Sequence, residues 1–507
     1  MFEGRVRMAD ARASGGDRPL YSNGYKATVL GLLLATYTFN FIDRTIIATI
    51  GQAIKVDLKL SDTQLGLLGG LYFALLYTLL GIPIARLAER WNRVSIISVS
   101  LVIWSGFTAL CGAATTFGQL ALFRFGVGVG EAGCSPPSHS LISDYYEPKK
   151  RASALSIYSF GIPLGTMFGA VAGGWLAQEF SWRVAFVIVG LPGLILALIV
   201  KLIVKEPPRG HSEIIERPLE AEGLVVEPAG KPRFSMATEF SELWTVTKVL
   251  FGKWPVLHMV LGVTVASFGA YGSGAFVPPY FVRTYGLGLA QVGLIVGLIG
   301  GFSAGVGTLV GGFLTDWAGK KSTKWYALTP AIGLLICTPI YISAYLQTHW
   351  QTTALILLVP GIFHYTYLAP TFAVVQNSVE PRRRATATAL LFFFLNLIAL
   401  GGGPVFTGWL IDHLAQFNFN HPSSSGLFHA LGGAFGESGP ASFGTSCPGG
   451  LAPKGSAPEL AKACAGAMAR STQQGIIVSL SFYAWAGVHY ALASIGLAKH
   501  MKERAGA

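Results

Sequence analysis

Charge is what this 507-residue chain has least of: Asp, Glu, Lys and Arg together make up only 12% of it, where soluble domains carry about 25%. So few charges exclude a water-facing surface for most of the chain. The 52% of hydrophobic residues and a mean hydropathy of +0.52 suit an outer surface that meets lipid. Before residue 26 there is no apolar run, which excludes a cleavable signal peptide and leaves the first span as its own targeting signal. Cysteine is scarce too, at five residues. Cys111, Cys134 and Cys337 lie inside apolar segments and read as packing residues. Cys447 and Cys464 share one polar loop; they can form a disulfide if it faces an oxidising compartment, and two free thiols are the alternative. Metal-ligand clusters, a nucleophile elbow and a phosphate-binding glycine loop are all missing, which argues against an enzyme; no cofactor is expected. The net charge of +12 does not point to nucleic acid, because the basic residues fall in short clusters between apolar runs.

Those runs number twelve, at roughly 26–50, 62–84, 95–114, 118–143, 152–177, 182–203, 256–281, 289–313, 325–346, 352–377, 385–412 and 474–498, each about the length needed to cross a bilayer. Ser61-Asp-Thr-Gln64 and Thr116-Phe-Gly-Gln119 read as capping boxes at helix starts. With both termini placed in the cytoplasm, that side holds Arg86, Arg90 and Arg93, then Lys149, Lys150 and Arg151, then Lys320, Lys321 and Lys324, then Arg382, Arg383 and Arg384. The opposite side is poorer, with Lys55, Lys59, Arg183, Arg283 and a few basic residues in the long last loop. This asymmetry is the positive-inside pattern, and an even span count returns both basic tails to one side. The expected fold is therefore an all-α polytopic membrane protein with twelve transmembrane helices in two pseudo-symmetric six-helix bundles, seated in the cell (inner) membrane.

The expected organisation is a cytoplasmic tail (1–25), a first bundle (26–203), a cytoplasmic linker (204–254), a second bundle (255–498) and a short cytoplasmic tail (499–507). In the linker Phe240, Leu243, Trp244, Leu250 and Phe251 fall near one helical face, which reads as an amphipathic helix on the membrane surface; a loosely ordered linker is the alternative. The Gly-, Ser- and Pro-rich stretch 415–473 reads as an irregular extracytoplasmic loop.

The two halves repeat. Gln64-Leu-Gly-Leu67 recurs as Gln291-Val-Gly-Leu294, and Ala85-Arg-Leu-Ala-Glu-Arg-Trp-Asn-Arg93 as Gly312-Phe-Leu-Thr-Asp-Trp-Ala-Gly-Lys320, both at an offset of 227. Glu147-Pro-Lys-Lys-Arg-Ala152 recurs as Glu380-Pro-Arg-Arg-Arg-Ala385 at 233, and Gly174-Trp-Leu176 as Gly408-Trp-Leu410 at 234. Parallel repeats of this kind place a substrate site between the halves near the midplane, with alternating access by rocking. The second of these motifs resembles the cytoplasmic-loop signature of the major facilitator superfamily, G-x-L-A-D-R-x-G-R-K. Gly312, Leu314, Asp316, Gly319, Lys320 and Lys321 match it best. The first copy departs, with Ala85, Glu89 and Asn92 at the Gly, Asp and inner Gly positions. Glu89, Arg90, Arg93, Asp316, Lys320 and Lys321 are accordingly expected to form a cytoplasmic gate, the carboxylates accepting from helix N-termini and basic side chains; a solvated loop is the bland alternative.

Ionisable residues inside apolar spans carry the most information. Asn40, Asp43 and Arg44 lie in the first span, Arg124 and Glu131 in the fourth. Each unpaired charge at a helix centre costs roughly 2.5–3.5 kcal/mol, so the set should pair and face a polar cavity. Two carboxylates balance two guanidinium groups, and protonating one carboxylate would unbalance them and bias a two-state arrangement. A static ion-pair network is the alternative. The second half offers His364, Tyr365, Tyr367, Gln376, Asn396, His489 and Tyr490 for hydrogen bonding to a substrate; for each taken singly, a satisfied packing residue is the alternative.

Asn40-Phe-Ile-Asp43-Arg44, Arg124 through Gly130-Glu131-Ala132, Ser143-Asp144 and Ile162-Pro163-Leu-Gly165 resemble a major facilitator of the Spinster type, most specifically over the first half. The resemblance implies proton-linked transport of lysolipids, including phosphorylated sphingoid bases such as sphingosine-1-phosphate. It implies Asp43 and Glu131 as proton sites, Arg124 as their partner, and Arg44 lining the central cavity; Asn40, His364, Tyr365, Tyr367, Asn396 and His489 are cavity candidates from their place inside the spans, not from the resemblance. The implied partners are the lipid bilayer, protons and an amphiphilic small molecule, and a monomer is expected. An anion–cation symporter for small organic anions shares a similar pattern and is the alternative; a multidrug–proton antiporter is the third.

Overall fold

The computed structural model describes residues 21–209, 236–380, 383–423, 426–436 and 442–505. Among the described residues the helical segments that correspond to the expected spans are α1 (Asn23–Thr49), α2 (Asp62–Ala88), α3 (Arg93–Cys111), α4 (Phe117–Glu131), α5 (Ser153–Glu179), α6 (Trp182–Ile203), α7 (Trp254–Tyr285), α8 (Leu289–Gly319), α9 (Trp325–Tyr345), α10 (Trp350–Asn377), α11 (Thr386–Asn420) and α12 (Pro458–Lys502). Among the described residues, ten are long and apolar enough to cross a membrane; α1 and α4 lie outside that ten, and they are the two that bury the charges singled out above.

Helix starts follow the sequence signals. Ser61 closes a full capping box with Gln64, and Thr116 accepts from the Gln119 amide, satisfying donors that a helix start otherwise leaves open. The fourth expected span is not one helix: it turns at 132–134 and resumes as Ser135–Tyr145, because Pro136 and Pro137 supply no amide hydrogen to continue the ladder. In α11, Leu395–Leu400 adopts π-helical geometry.

α1 begins beside the end of α6, where the Tyr25 hydroxyl donates to the Ile203 carbonyl. The face holding these two ends is termed the terminal face and its opposite the distal face. Val29, Phe73, Ile97, Trp104 and Leu196 belong to one apolar core, to which the second half adds Leu400. Val263, Phe281, Leu334, Tyr367 and Tyr490 belong to another, to which the first half adds Leu65.

Near the distal face the repeated glycines bring the halves together. A Cβ on Gly66 would lie 2.2 Å from the Pro404 carbonyl oxygen, and one on Gly408 2.1 Å from that of Asp62. On the other side, a Cβ on Gly293 would lie 2.3 Å from the Ala170 carbonyl oxygen, and one on Gly174 2.3 Å from that of Leu289. Asp62 and Leu289 are 227 positions apart, Ala170 and Pro404 234, the same offsets as the repeats. The α2–α11 and α5–α8 crossings thus repeat the same glycine-to-carbonyl approach at the same offsets.

Two connections differ from the sequence reading. The 415–473 stretch is largely helical: α11 runs on to Asn420, short helices cover Leu427–Gly436 and Ser442–Ser446, and α12 starts at Pro458. Hydropathy alone misses this start because Glu459-Leu-Ala-Lys-Ala-Cys-Ala-Gly-Ala467 is polar but rich in strong helix formers. Cys447 and Cys464 are joined as a disulfide. In the linker, residues 210–235 and the Phe240 side chain lie outside the described residues. The helix Met236–Gly252 buries Val246 and Leu250 completely in the second-half core and leaves Trp244 exposed; its apolar face is therefore seated on protein as well as turned outward.

Candidate functional site

The charge cluster forms where α1, α2 and α4 meet. Asn40 and Asp43, three residues apart on α1, are both buried, as are Arg124 and Glu131 on α4. Gly128 permits the approach: a Cβ there would meet the Phe73 carbonyl of α2 at 2.5 Å. Arg44 donates its Nε to Glu131 Oε2 at 2.7 Å, and its side chain keeps 20% exposure while that of Glu131 keeps none. The Arg44 guanidinium lies 4.6 Å from the Tyr77 ring and 4.8 Å from Phe73, a cation–π arrangement that partly replaces lost hydration. Arg124 sits 5.4 Å from the same Phe73 ring and donates Nε to the Leu68 carbonyl at 3.2 Å. Phe73 therefore contacts both guanidinium groups.

The cluster is not saturated. Asp43 faces Thr108 and Glu131 faces Asn40, but both polar atoms of Asn40, Asp43 Oδ1, Arg124 Nη1, Glu131 Oε1 and Thr108 Oγ1 are buried without a hydrogen bond of normal length and angle. Such groups normally find partners, and each orphan costs about 1–3 kcal/mol. Among the described residues Asp43 has no salt bridge within 4.0 Å, whereas Glu131 is ion-paired. The two carboxylates that look equivalent in sequence stand in different surroundings.

In the second half, α10 is interrupted: Pro360–His364 is followed by a 3-10 turn, Tyr365–Tyr367, before Leu368–Asn377. The turn stacks His364 on Tyr365 and Tyr367, with Tyr341 and Tyr483 alongside. His364 Nδ1 is 3.3 Å from the Tyr341 hydroxyl, while Nε2 is buried without a partner. Tyr367 hydroxyl meets Ser267 Oγ at 3.0 Å. Asn396 is half-buried within the π-helical segment. His489 belongs to a different group. Its Nδ1 is 2.8 Å from His258 Nδ1, beside the outward-facing rings of Trp254 and Trp485.

A second ionic assembly, at the distal ends of the helices, escaped sequence reasoning. Asp62 accepts from Lys55 Nζ at 2.5 Å and from Arg283 at 2.6 and 3.1 Å. Arg283 also donates to Gln52 at 2.7 Å and Thr472 at 2.9 Å. Asp412 accepts the backbone amides of Asp62 and Thr63, both at 2.8 Å, and the Thr63 hydroxyl at 2.6 Å. Burial holds the Lys55 ammonium below the ordinary lysine value even beside Asp62. The assembly ties the first half (Gln52, Lys55, Asp62, Thr63) to the second (Arg283, Asp412, Thr472). Lys55 and Arg283 read in sequence as topology charges and Asp62 as part of a capping box. The one available signal was an acidic residue at the start of an apolar helix.

At the terminal face the expected gate residues make separate local contacts. Arg93 is buried and donates to Asp144 at 2.5 Å, Ser140 at 2.8 Å and Glu206 at 2.6 Å, so it ties α3 to the end of the fourth segment and to the linker. Glu89 is exposed, 3.6 Å from Arg86 one turn earlier, and Arg90 is exposed on the same loop. Lys320 is exposed, and Lys321 lies 4.6 Å from the Trp317 ring. The Asp316 side chain lies outside the described residues.

Residues 33–404 match the family model described as Major Facilitator Superfamily. An MFS-type efflux pump of Mycolicibacterium smegmatis is 31% identical over 387 residues, 76% of this chain and 85% of that one. A hexuronate transporter of Bacillus subtilis is 27% identical over 430 residues, 82% and 93% of the two chains. The mouse (Mus musculus) sphingosine-1-phosphate transporter SPNS2 is 26% identical over 403 residues, 76% and 69%. Among solved structures, a bacterial homolog to the human lysosomal transporter Spinster, in an inward-facing and unoccupied conformation, superposes with a TM-score of 0.77 at 33% identity, covering 95% of this chain and 99% of that one. The chain belongs to the major facilitator superfamily, as a multi-pass membrane transporter related to the Spinster proteins and not a member of a catalytic family.

Proposed function

We propose that this chain is a proton-linked secondary transporter that moves single-chain amphiphiles with an anionic head, of the lysolipid or phosphorylated sphingoid type. In this reading twelve spans form two bundles, 26–203 and 255–498, joined by a cytoplasmic linker, with both termini cytoplasmic in the inner membrane. The distal face is then extracytoplasmic, and the conformation is the one closed on that side, in keeping with its likeness to an inward-facing relative. The observation that carries the proton claim is the unsaturated charge cluster: Asp43 has no ion pair while Glu131 is held by Arg44. A proton on Asp43 would leave the Arg44 and Arg124 guanidinium groups facing one carboxylate, and its departure would favour whichever helix arrangement brings Arg124 closer to Asp43. Arg44, partly exposed between aromatic rings, is suited to an anionic headgroup, and the tyrosines around His364 to hydroxyl and amide groups. Glu89, Arg90, Arg93, Asp316, Lys320 and Lys321 would close the cytoplasmic side in the opposite conformation.

Uptake of a labelled lysophospholipid or phosphorylated sphingoid base into proteoliposomes tests this reading. One pH unit supplies about 1.36 kcal/mol per proton, so an imposed gradient should drive accumulation that Asp43→Asn loses. Gradient-independent uptake in both proteins would remove the proton from the mechanism. The likeness to a hexuronate transporter favours a second reading, a small organic anion as cargo. Gradient-driven uptake of a sugar acid, with none of the lipid, would select it.

A further inference from the structure

Between the first turns of α1 and the start of α5 lies an apolar groove of about 440 Å³, within the 300–1,000 Å³ typical of small-molecule sites. Leu30 and Gly31 form one wall, Ala154 and Ile157 the other, and Tyr146 and Lys150 stand at the terminal-face end. Its floor is open because Gly31 lacks a side chain where a Cβ would meet nothing within 4 Å. Ile157 is 49% exposed, so the groove opens outward, toward the lipid that a membrane-spanning chain meets. A furrow of this kind in a bilayer fills with hydrocarbon, since leaving it empty forfeits dispersion contacts on every wall. What selects the occupant is the end of the groove. Lys150 carries the only formal charge among the described lining residues, and Lys149 and Arg151 flank it in sequence. A cation at headgroup depth complements a phosphate whose own charge is not cancelled by choline or ethanolamine.

We propose that this groove binds an anionic glycerophospholipid of the bilayer, one acyl chain lying over Gly31 and the phosphate against Lys150 and the Tyr146 hydroxyl. α1 carries Asn40, Asp43 and Arg44 farther along, and α5 makes the distal crossing with α8, so the bound lipid braces the helix that holds the charge cluster against the helix that joins the halves. The test is native mass spectrometry of the full chain released from nanodiscs of phosphatidylglycerol or phosphatidylcholine. The expected result is preferential retention of phosphatidylglycerol. Gly31→Phe, which fills an empty space rather than displacing an atom, should abolish retention of both lipids at this site. Lys150→Gln should weaken phosphatidylglycerol retention about five-fold, the equivalent of the ~1 kcal/mol one surface cation contributes, without affecting phosphatidylcholine. Equal retention of the two lipids, or undiminished phosphatidylglycerol retention in both variants, would overturn the proposal. So would displacement of the lipid by a phosphorylated single-chain amphiphile at lower concentration, which would make the groove a substrate site.

Discussion

Adding one methyl group at Gly408 should open the distal face. The ideal Cβ position lies 2.1 Å from the Asp62 carbonyl oxygen, 2.6 Å from its carbon and 2.9 Å from the Thr63 nitrogen, all backbone atoms. No side-chain rotation relieves such an overlap; α2 and α11 must separate by roughly 1 Å before contact becomes tolerable. That separation pulls on the 2.8 Å bonds from the Asp62 and Thr63 amides to Asp412, which lies one turn along α11. Overpacking of this kind costs about 1–3 kcal/mol. Alanine's better helix propensity, about 1 kcal/mol over glycine, applies equally to both arrangements of the halves and cancels between them. Gly408→Ala should therefore shift the closed-to-open equilibrium of the distal face about 5–150-fold toward open. Spin labels at Glu179 and Thr348, exposed distal positions in opposite halves, should report a second, longer distance by double electron–electron resonance. The repeat sharpens the test. Gly174→Ala, whose Cβ would lie 2.3 Å from the Leu289 carbonyl oxygen, should act alike, whereas Gly106→Ala, with nothing within 4 Å, should leave the distances alone. Unchanged distributions in both Gly408→Ala and Gly174→Ala would refute the claim that these crossings hold the distal face shut.

The distal ion assembly should respond in the same direction. Asp62→Asn leaves Lys55 and Arg283 buried without their shared anion, a loss of about 3–5 kcal/mol, of which the Arg283 part, the one that crosses between the halves, is confined to the closed arrangement. Labelling of a cysteine placed at Leu65, a first-half position buried in the second-half core, should accelerate; an unchanged rate would show that the assembly does not hold that face closed. Asp43→Asn, which fixes the neutral form, should remove gradient dependence from uptake and make the distal spin-label distances independent of pH; distances that still shift with pH would place the proton elsewhere. The Cys447–Cys464 bond closes a loop with a sequence separation of 17. A loop of this size contributes about 3 kcal/mol in the chain-entropy picture, so Cys447→Ser should lower the thermal midpoint of unfolding, as should reductant on the parent but not on the variant.

Sequence alone determined the class of this protein. Low charge, long apolar runs and the duplicated motifs follow from the solvent around each residue and from chain order, both of which are one-dimensional properties. The rare buried charges, Asp43, Arg44, Arg124 and Glu131, could be found the same way, since hydrocarbon makes each of them costly. The repeat offsets of 227 and 234 even carried the register of the two crossings, though not the fact that the glycines were contacts. Tertiary structure decided the partnerships. It put Arg44, not Arg124, in hydrogen-bond contact with Glu131, placed one aromatic ring against both guanidinium groups, and sent His489 to His258, because helix rotation and crossing depth set those distances. It also brought together Lys55, Asp62, Arg283 and Asp412, of which Asp62 and Asp412 stand 350 positions apart. Charges at helix ends look alike in sequence whether they face water or each other, and only the packing of two halves against one another removes the water.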